Sequence, residues 1–252
     1  MNIMNFPLVL FLCSAIVLWA LTRFGAFLRT RVKTLQEADL QDLSFVTGAV
    51  LTLLGLLIGF SFSMAISRYD QRKNYEEEEA NAIGTEYVRA DFLPGEDAAA
   101  VRELLRKYLD QRMLFYSTRS ERRIEEINVE TGRLQNDMWS KVRTAAAAQP
   151  NPVMAVVVSG MNDVLNTQGY TQAAWWNRIP LPAWGLMGAI SLGCCTLIGL
   201  SVRHPRRLVF VIVLLAVSIS FLLIADIDSP RGGLIRVKPQ NLLSLSESLR
   251  PK

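Results

Sequence analysis

Apolar and polar positions separate into long blocks along this chain. Four uncharged, mostly apolar runs stand at Met1–Thr22, Leu43–Ser67, Ile179–Val202 and Leu208–Ala225, of 22, 25, 24 and 18 residues. About 20 helical residues at roughly 1.5 Å each cross a hydrocarbon core about 30 Å thick. The last run only just reaches that length. The pattern predicts a polytopic membrane protein with four transmembrane helices and excludes a soluble enzyme.

Between the second and third runs the chain turns polar and reads as helix nearly throughout. No breaker ends the second run, so one helix is expected to continue from Leu43 up to Leu93, before Pro94-Gly95. Val101, Leu104, Leu105, Tyr108, Arg112 and Phe115 follow helical spacing, with Glu96 and Asp97 suited to that helix's start. Ile124, Ile127, Thr131, Leu134, Met138 and Val142 form a second stripe. Pro150 and Pro152 precede another apolar run, Val153–Leu165, where Gly160 and the later Gly169 weaken the helical signal. Pro180 and Pro182 mark entry to the third span. No alternation of the kind that builds strands appears, so the fold class is all-α.

Composition agrees: half of the residues are hydrophobic, 20% are charged, and the mean hydropathy is +0.22. The first run has no basic residue before Arg23 and no clean small-x-small cleavage site, so it reads as a retained anchor, not a signal peptide. Cys13, Cys194 and Cys195 all fall inside expected spans and read as small apolar packing residues. The net charge is +4, yet residues 68–178 carry 15 Lys/Arg against 17 Asp/Glu. The basic excess therefore flanks the spans, and no nucleic-acid face is expected.

Candidate chemistry is sparse. His204 is the single histidine, within a short basic turn, so His-based metal sets and Ser–His–Asp triads have no basis. No glycine-rich phosphate loop occurs. Glu76–Glu79 offers four carboxylates, but on a helix only the first and last share a face, so a solvated or salt-bridging face is expected instead of a cation site. No catalytic residues, metal ligands or cofactor are assigned.

The second span is more specific. Gly55, Gly59 and Ser63 recur every four residues, a spacing that lets helices approach closely in lipid. Thr52, Leu56 and Phe60 form a parallel stripe about 100° away. In a ring of identical subunits that stripe would line an apolar constriction of the kind that gates by dewetting. Within one subunit both stripes would be packing surfaces, and periodicity alone favours that plainer use. Beyond the span, Arg68, Arg72 and Lys73 suit the interface, and Arg72–Glu76 and Lys73–Glu77 read as exposed i,i+4 pairs.

The order of residues here resembles the bestrophin-like domain family of bacterial membrane proteins. The resemblance lies in Gly59-Phe60 through Arg68-Tyr69-Asp70-x-Arg72, and in Glu79-Ala80-Asn81-Ala82-Ile83-Gly84-Thr85-x-Tyr87. It continues in Leu104-Leu105-x-x-Tyr108-Leu109-Asp110-x-Arg112 and in the closing Asp228-Ser229-Pro230-Arg231-Gly232-Gly233. More distantly, the chain is similar to bestrophins, pentameric ion channels with four spans and a large helical cytosolic part. That resemblance implies a homo-oligomer, a pentamer by analogy, with inorganic ions and the lipid bilayer as its partners. It assigns the neck to Thr52, Leu56 and Phe60, of which only Phe60 matches the bestrophin residue type. It assigns Arg68 to the pore mouth, and likens the turn at Asp228 and Pro230 to an acidic-proline segment after the last bestrophin span. The acidic calcium clasp of the animal channels has no counterpart.

Basic residues near span ends number seven on each side, and the flanks of the first span favour an outside N-terminus. The bestrophin resemblance implies instead that both termini and the bundle are cytoplasmic in a bacterial plasma membrane, and that topology is adopted. The expected organisation is spans 1 and 2 over 1–66, a helical extramembrane bundle over 67–178, spans 3 and 4 over 179–227, and a tail over 228–252. The leading expectation is a bestrophin-like oligomeric ion channel with a pore lined by the second span. The alternative is a non-conducting scaffold or signalling protein that binds a partner through its bundle.

Overall fold

The computed structural model describes residues 6–31, 37–201 and 207–250. His204, Arg203, Arg206 and Lys33 lie outside them. Eight α-helices are described: α1 Pro7–Arg31, α2 Glu37–Arg89, α3 Gly95–Ser117, α4 Glu121–Ala148, α5 Pro152–Trp176, α6 Leu181–Ser201, α7 Arg207–Asp228 and α8 Gln240–Ser248. No strand occurs among the described residues. Four helical stretches are long and apolar enough to cross a membrane: α1, α2, a third within Pro152–Ser201, and α7. The protein is an all-α, multi-pass membrane protein with a helical extramembrane bundle between its second and third spans.

The chain forms two compact units. Residues up to Arg68 and Arg178–Arg236 make the membrane unit, and Tyr69–Asn177 with Val237–Lys252 make the bundle. The segment after the last span is therefore shared, and its end supplies α8 to the bundle.

In the membrane unit, α1 and α6 meet backbone to backbone at Gly25 and Gly199. A Cβ built on Gly25 would overlap the Thr196 carbonyl, and one on Gly199 would overlap that of Thr22 and come within 2.9 Å of Ala26 N. Next to this crossing, Arg29 Nη1 donates to the Leu200 carbonyl at 3.0 Å. Leu54, Ser61 and Ala65 turn the buried face of α2 inward, while Trp184 of α6 meets Phe221 of α7 edge to face at 6.1 Å.

The bundle is built on the stripes expected from sequence. Val101, Leu105, Tyr108, Arg112 and Phe115 of α3 are buried, with Leu104 packed at the edge of the core. Ile127, Thr131, Leu134, Met138 and Val142 of α4 are buried too, and Ile124 is partly so. Ser120 caps α4, and Asn151 caps α5 by accepting from Met154 N at 3.0 Å with Pro152 at the first turn. Despite Gly160 and Gly169, α5 is continuous to Trp176. At Gly160, α2 side chains occupy the space a Cβ would need. One expectation fails: Arg72 and Glu76 are not exposed but 2% and 1% accessible. They point into the bundle because helical spacing carries the buried face of α2 through residues 72, 76, 79, 83 and 86.

Candidate functional site: the outer face of the second span and its collar

Thr52, Leu56 and Phe60 lie on one face of α2, opposite the buried Leu54, Ser61 and Ala65. Leu56 is 53% and Phe60 61% exposed, and Thr52 is exposed as well. The Thr52 hydroxyl donates to the Gly48 carbonyl at 2.9 Å, so its polar group is satisfied within the helix. Gly55, Gly59 and Ser63 stand on the adjoining strip. Among the described residues, and apart from the helix's own backbone, nothing comes within 4 Å of a Cβ built on Gly48, Gly55 or Gly59. In the membrane unit the close helix contact among the described residues is Gly25–Gly199, and no described residue of another element lies within 4 Å of a Cβ built on Gly55 or Gly59. That contact has a weak sequence signal, Cys195-x-x-x-Gly199 on α6 opposite Thr22-x-x-Gly25-Ala26 on α1.

At the end of this span Arg68 pairs with Asp228, Nη1 to Oδ1 at 3.5 Å, both side chains largely shielded. Asp228 also accepts the Ile179 N–H through both carboxylate oxygens, at 3.1 and 3.2 Å. One carboxylate thus ties α2, the approach to α6 and the end of α7. Asp226 accepts from Leu234 N and Ile235 N, each at 2.8 Å, and Ser229 Oγ accepts from Gly232 N at 3.2 Å. Pro230 is buried in this turn, and a Cβ on Gly233 would overlap the Asp226 carbonyl. The motif after the last span is therefore a self-bonded turn whose two acidic residues are engaged by backbone N–H groups and Arg68. Among the described residues no group of three or more potential metal ligands is present.

The remaining motif residues belong to the bundle. Tyr69 packs at the core margin, Asp70 and Asn81 are exposed, and Arg72 is buried. Asn81 lines a groove of about 490 Å³ between α2 and α8, with Gly84, Thr85 and Ser244. Glu76 accepts from Asn241 N at 2.9 Å, Asn241 Nδ2 at 2.7 Å and Leu242 N at 3.0 Å. Pro239 cannot cap α8, so Glu76 supplies the missing N-terminal acceptor from another helix. Glu76→Ala is expected to loosen α8 by about 1.5–3 kcal/mol, the range for hydrogen bonds to a charged group. Hydrogen exchange at Asn241 and Leu242 checks this; unchanged protection contradicts it.

Glu79 is buried against Arg112, whose Nε donates to Oε1 at 3.1 Å and whose Nη2 lies 2.9 Å from the same oxygen. Arg112 also stacks over the Phe115 ring at 4.4 Å. Burial pushes the Glu79 carboxyl above its ordinary range, against the pull of Arg112 and of the nearby Tyr116 and Thr171 hydroxyls. Burial raises the Tyr108 and Tyr116 phenols as well. Sequence spacing singled out both Glu79 and Arg112 but gave no sign that they pair. It did not single out Glu86, which is fully buried on the same helix.

Comparison with known proteins agrees with this architecture. The family model of the Bestrophin-like domain matches residues 10–242. A search of curated proteins gives no match. Among solved structures, a bacterial bestrophin homologue from Klebsiella pneumoniae aligns with a TM-score of 0.64 at 15% identity, covering 97% of this chain and 99% of that one. A point variant of a membrane protein aligns with a TM-score of 0.65 at 12% identity, covering 96% of this chain and 95% of that one. At such identity these likenesses establish the fold, and the family rests on the match along the sequence. The chain belongs to the bestrophin-like domain family.

Proposed function

We propose that the protein is an oligomeric ion channel of the bacterial plasma membrane, a pentamer by family analogy, in which copies of α2 surround the pore. The observation that carries this reading is the Thr52–Leu56–Phe60 face, exposed along an apolar helix and bordered by bare glycine backbone. Repeated around an axis, Leu56 and Phe60 form a narrow apolar ring that holds back water until it widens. Thr52 departs little from such a ring because its hydroxyl is bonded to its own helix. Gly55, Gly59 and Ser63 let neighbouring copies of α2 approach closely. Arg68 contributes a weakened field at the pore mouth, since Asp228 offsets its charge. The permeant species are inorganic ions. The role is non-enzymatic, with both termini and the bundle on the cytoplasmic side.

Phe60→Cys, made in a chain whose three native cysteines are replaced by serine, tests the arrangement. Around a shared pore the introduced thiols are expected to cross-link between copies on oxidation, and a charged thiol reagent to reach them from water. A thiol that reacts only with lipid-soluble reagents and never cross-links places this face toward lipid, and the non-conducting scaffold becomes the better account.

A further inference from the structure

We propose that Glu86 is a proton-binding site that sets how tightly α2 packs on α5. Glu86 is 0% exposed, and neither carboxyl oxygen has a hydrogen-bond partner among the described residues. It lies directly against the backbone of α5, where a Cβ built on Gly160 would overlap both Glu86 Oε2 and the Arg89 guanidinium. The glycine makes room for the carboxyl group and the neighbouring Arg89 guanidinium at a helix contact where neither carboxyl oxygen is hydrogen-bonded. Burial without hydrogen bonds strongly favours the neutral acid. The charged groups that act on Glu86 are Arg89 on α2, which favours ionisation, and Asp163 on α5, which opposes it. Burial outweighs Arg89, and the carboxyl is pushed up to about 8.

The sign follows from linkage. In the packed contact the group holds its proton up to about 8, whereas a separated, hydrated carboxyl holds it only to the ordinary value of 4.5. Separation therefore releases a proton, so acid tightens the contact and base loosens it. The opening equilibrium rises by up to about tenfold per pH unit between those two values and levels off above the higher. Farther along the same two helices, Tyr75 stacks on Tyr170 at 6.0 Å, so the effect is confined to the end of the contact that holds Glu86. Any consequence for current rests on the channel reading, because α2 must also line the pore. The test uses no current, so the two readings fail separately.

The full chain is placed in lipid nanodiscs, and the infrared carbonyl stretch of protonated carboxylic acids is followed with pH. The expected result is a band at neutral pH that is missing in Glu86→Gln and that titrates with a midpoint near 8. Hydrogen exchange of peptides around Ile83–Ala90 and Val157–Val164, corrected for base catalysis, is expected to show opening that rises with pH in the native chain and stays flat in Glu86→Gln. Asp163→Asn keeps the carboxyl and is expected to lower the midpoint. No acid band at neutral pH, or the same pH dependence in Glu86→Gln, overturns the proposal.

Discussion

Replacing Arg112 by methionine is expected to destabilise the bundle by about 3–5 kcal/mol, the range for breaking a buried pair by removing one partner. Arg112 has no solvent exposure and touches Glu79 through two nitrogens, with the Phe115 ring beneath the guanidinium. Its loss leaves the Glu79 carboxyl in the core of the bundle without the cation that faces it. That carboxyl then takes up a proton, so the defect is expected to grow as pH rises and the proton becomes harder to hold. The pair need not be strongly stabilising in itself, since two charges must lose water to form it. Accordingly, Glu79→Leu combined with Arg112→Met is expected to recover much of the loss. Because the chain has two units, exchange of the α3 and α5 amides is a better measure than one melting temperature. An Arg112→Met chain within about 1 kcal/mol of the native one contradicts this account of the pair.

The second large effect is expected at the crossing of α1 and α6. Gly199→Leu adds a side chain where even a Cβ meets the backbone of α1, at Thr22, Ala26 and Gly25. Neither helix backbone can yield locally, so the two must move apart, at a cost of about 3 kcal/mol or more. The hydrogen bond from Arg29 to the Leu200 carbonyl should go with them. Cys195, one turn from Gly199 and buried, reports on the result, whereas the exposed Cys13 gives the baseline. The Cys195 thiol is expected to be inert in the native chain and reactive in Gly199→Leu. Gly55→Leu, where no described residue outside the helix's own backbone lies within 4 Å of a Cβ, is expected to leave Cys195 inert. Equal reactivity in all three chains would show that the glycine contact does not hold the membrane unit together.

Much of this architecture was legible in the sequence because lipid and water impose simple patterns. The four uncharged runs mark the spans, and the absence of a breaker after Ser67 leaves α2 continuous to Arg89. Periodicity then assigns the core faces of α3 and α4 nearly residue by residue. It does so less well for charged residues, whose burial depends on partners contributed by distant elements. Arg72 and Glu76 fit an exposed helical pair by spacing alone, yet Glu76 meets the start of α8, more than 160 positions along the chain. Glu86 follows the same buried face by spacing, but its surroundings come from Gly160 and Asp163 of α5. The glycines show a similar limit. Spacing by four drew attention to Gly55 and Gly59, while the contact within the chain falls at Gly25 and Gly199, each without another glycine four residues away. A repeat of small residues marks a surface that permits close approach, and tertiary structure decides whether this chain or another copy occupies it.

The central claim is conduction through a pore built from α2. It is tested most directly by single-channel recording of the purified full chain in planar bilayers under a salt gradient, with Phe60→Ala recorded alongside. Discrete openings are predicted, with a larger conductance or longer open time in Phe60→Ala because the apolar ring is widened and wets more readily. A folded, oligomeric protein that passes no current, or openings identical in Phe60→Ala and the native chain, would contradict a pore constricted at this face.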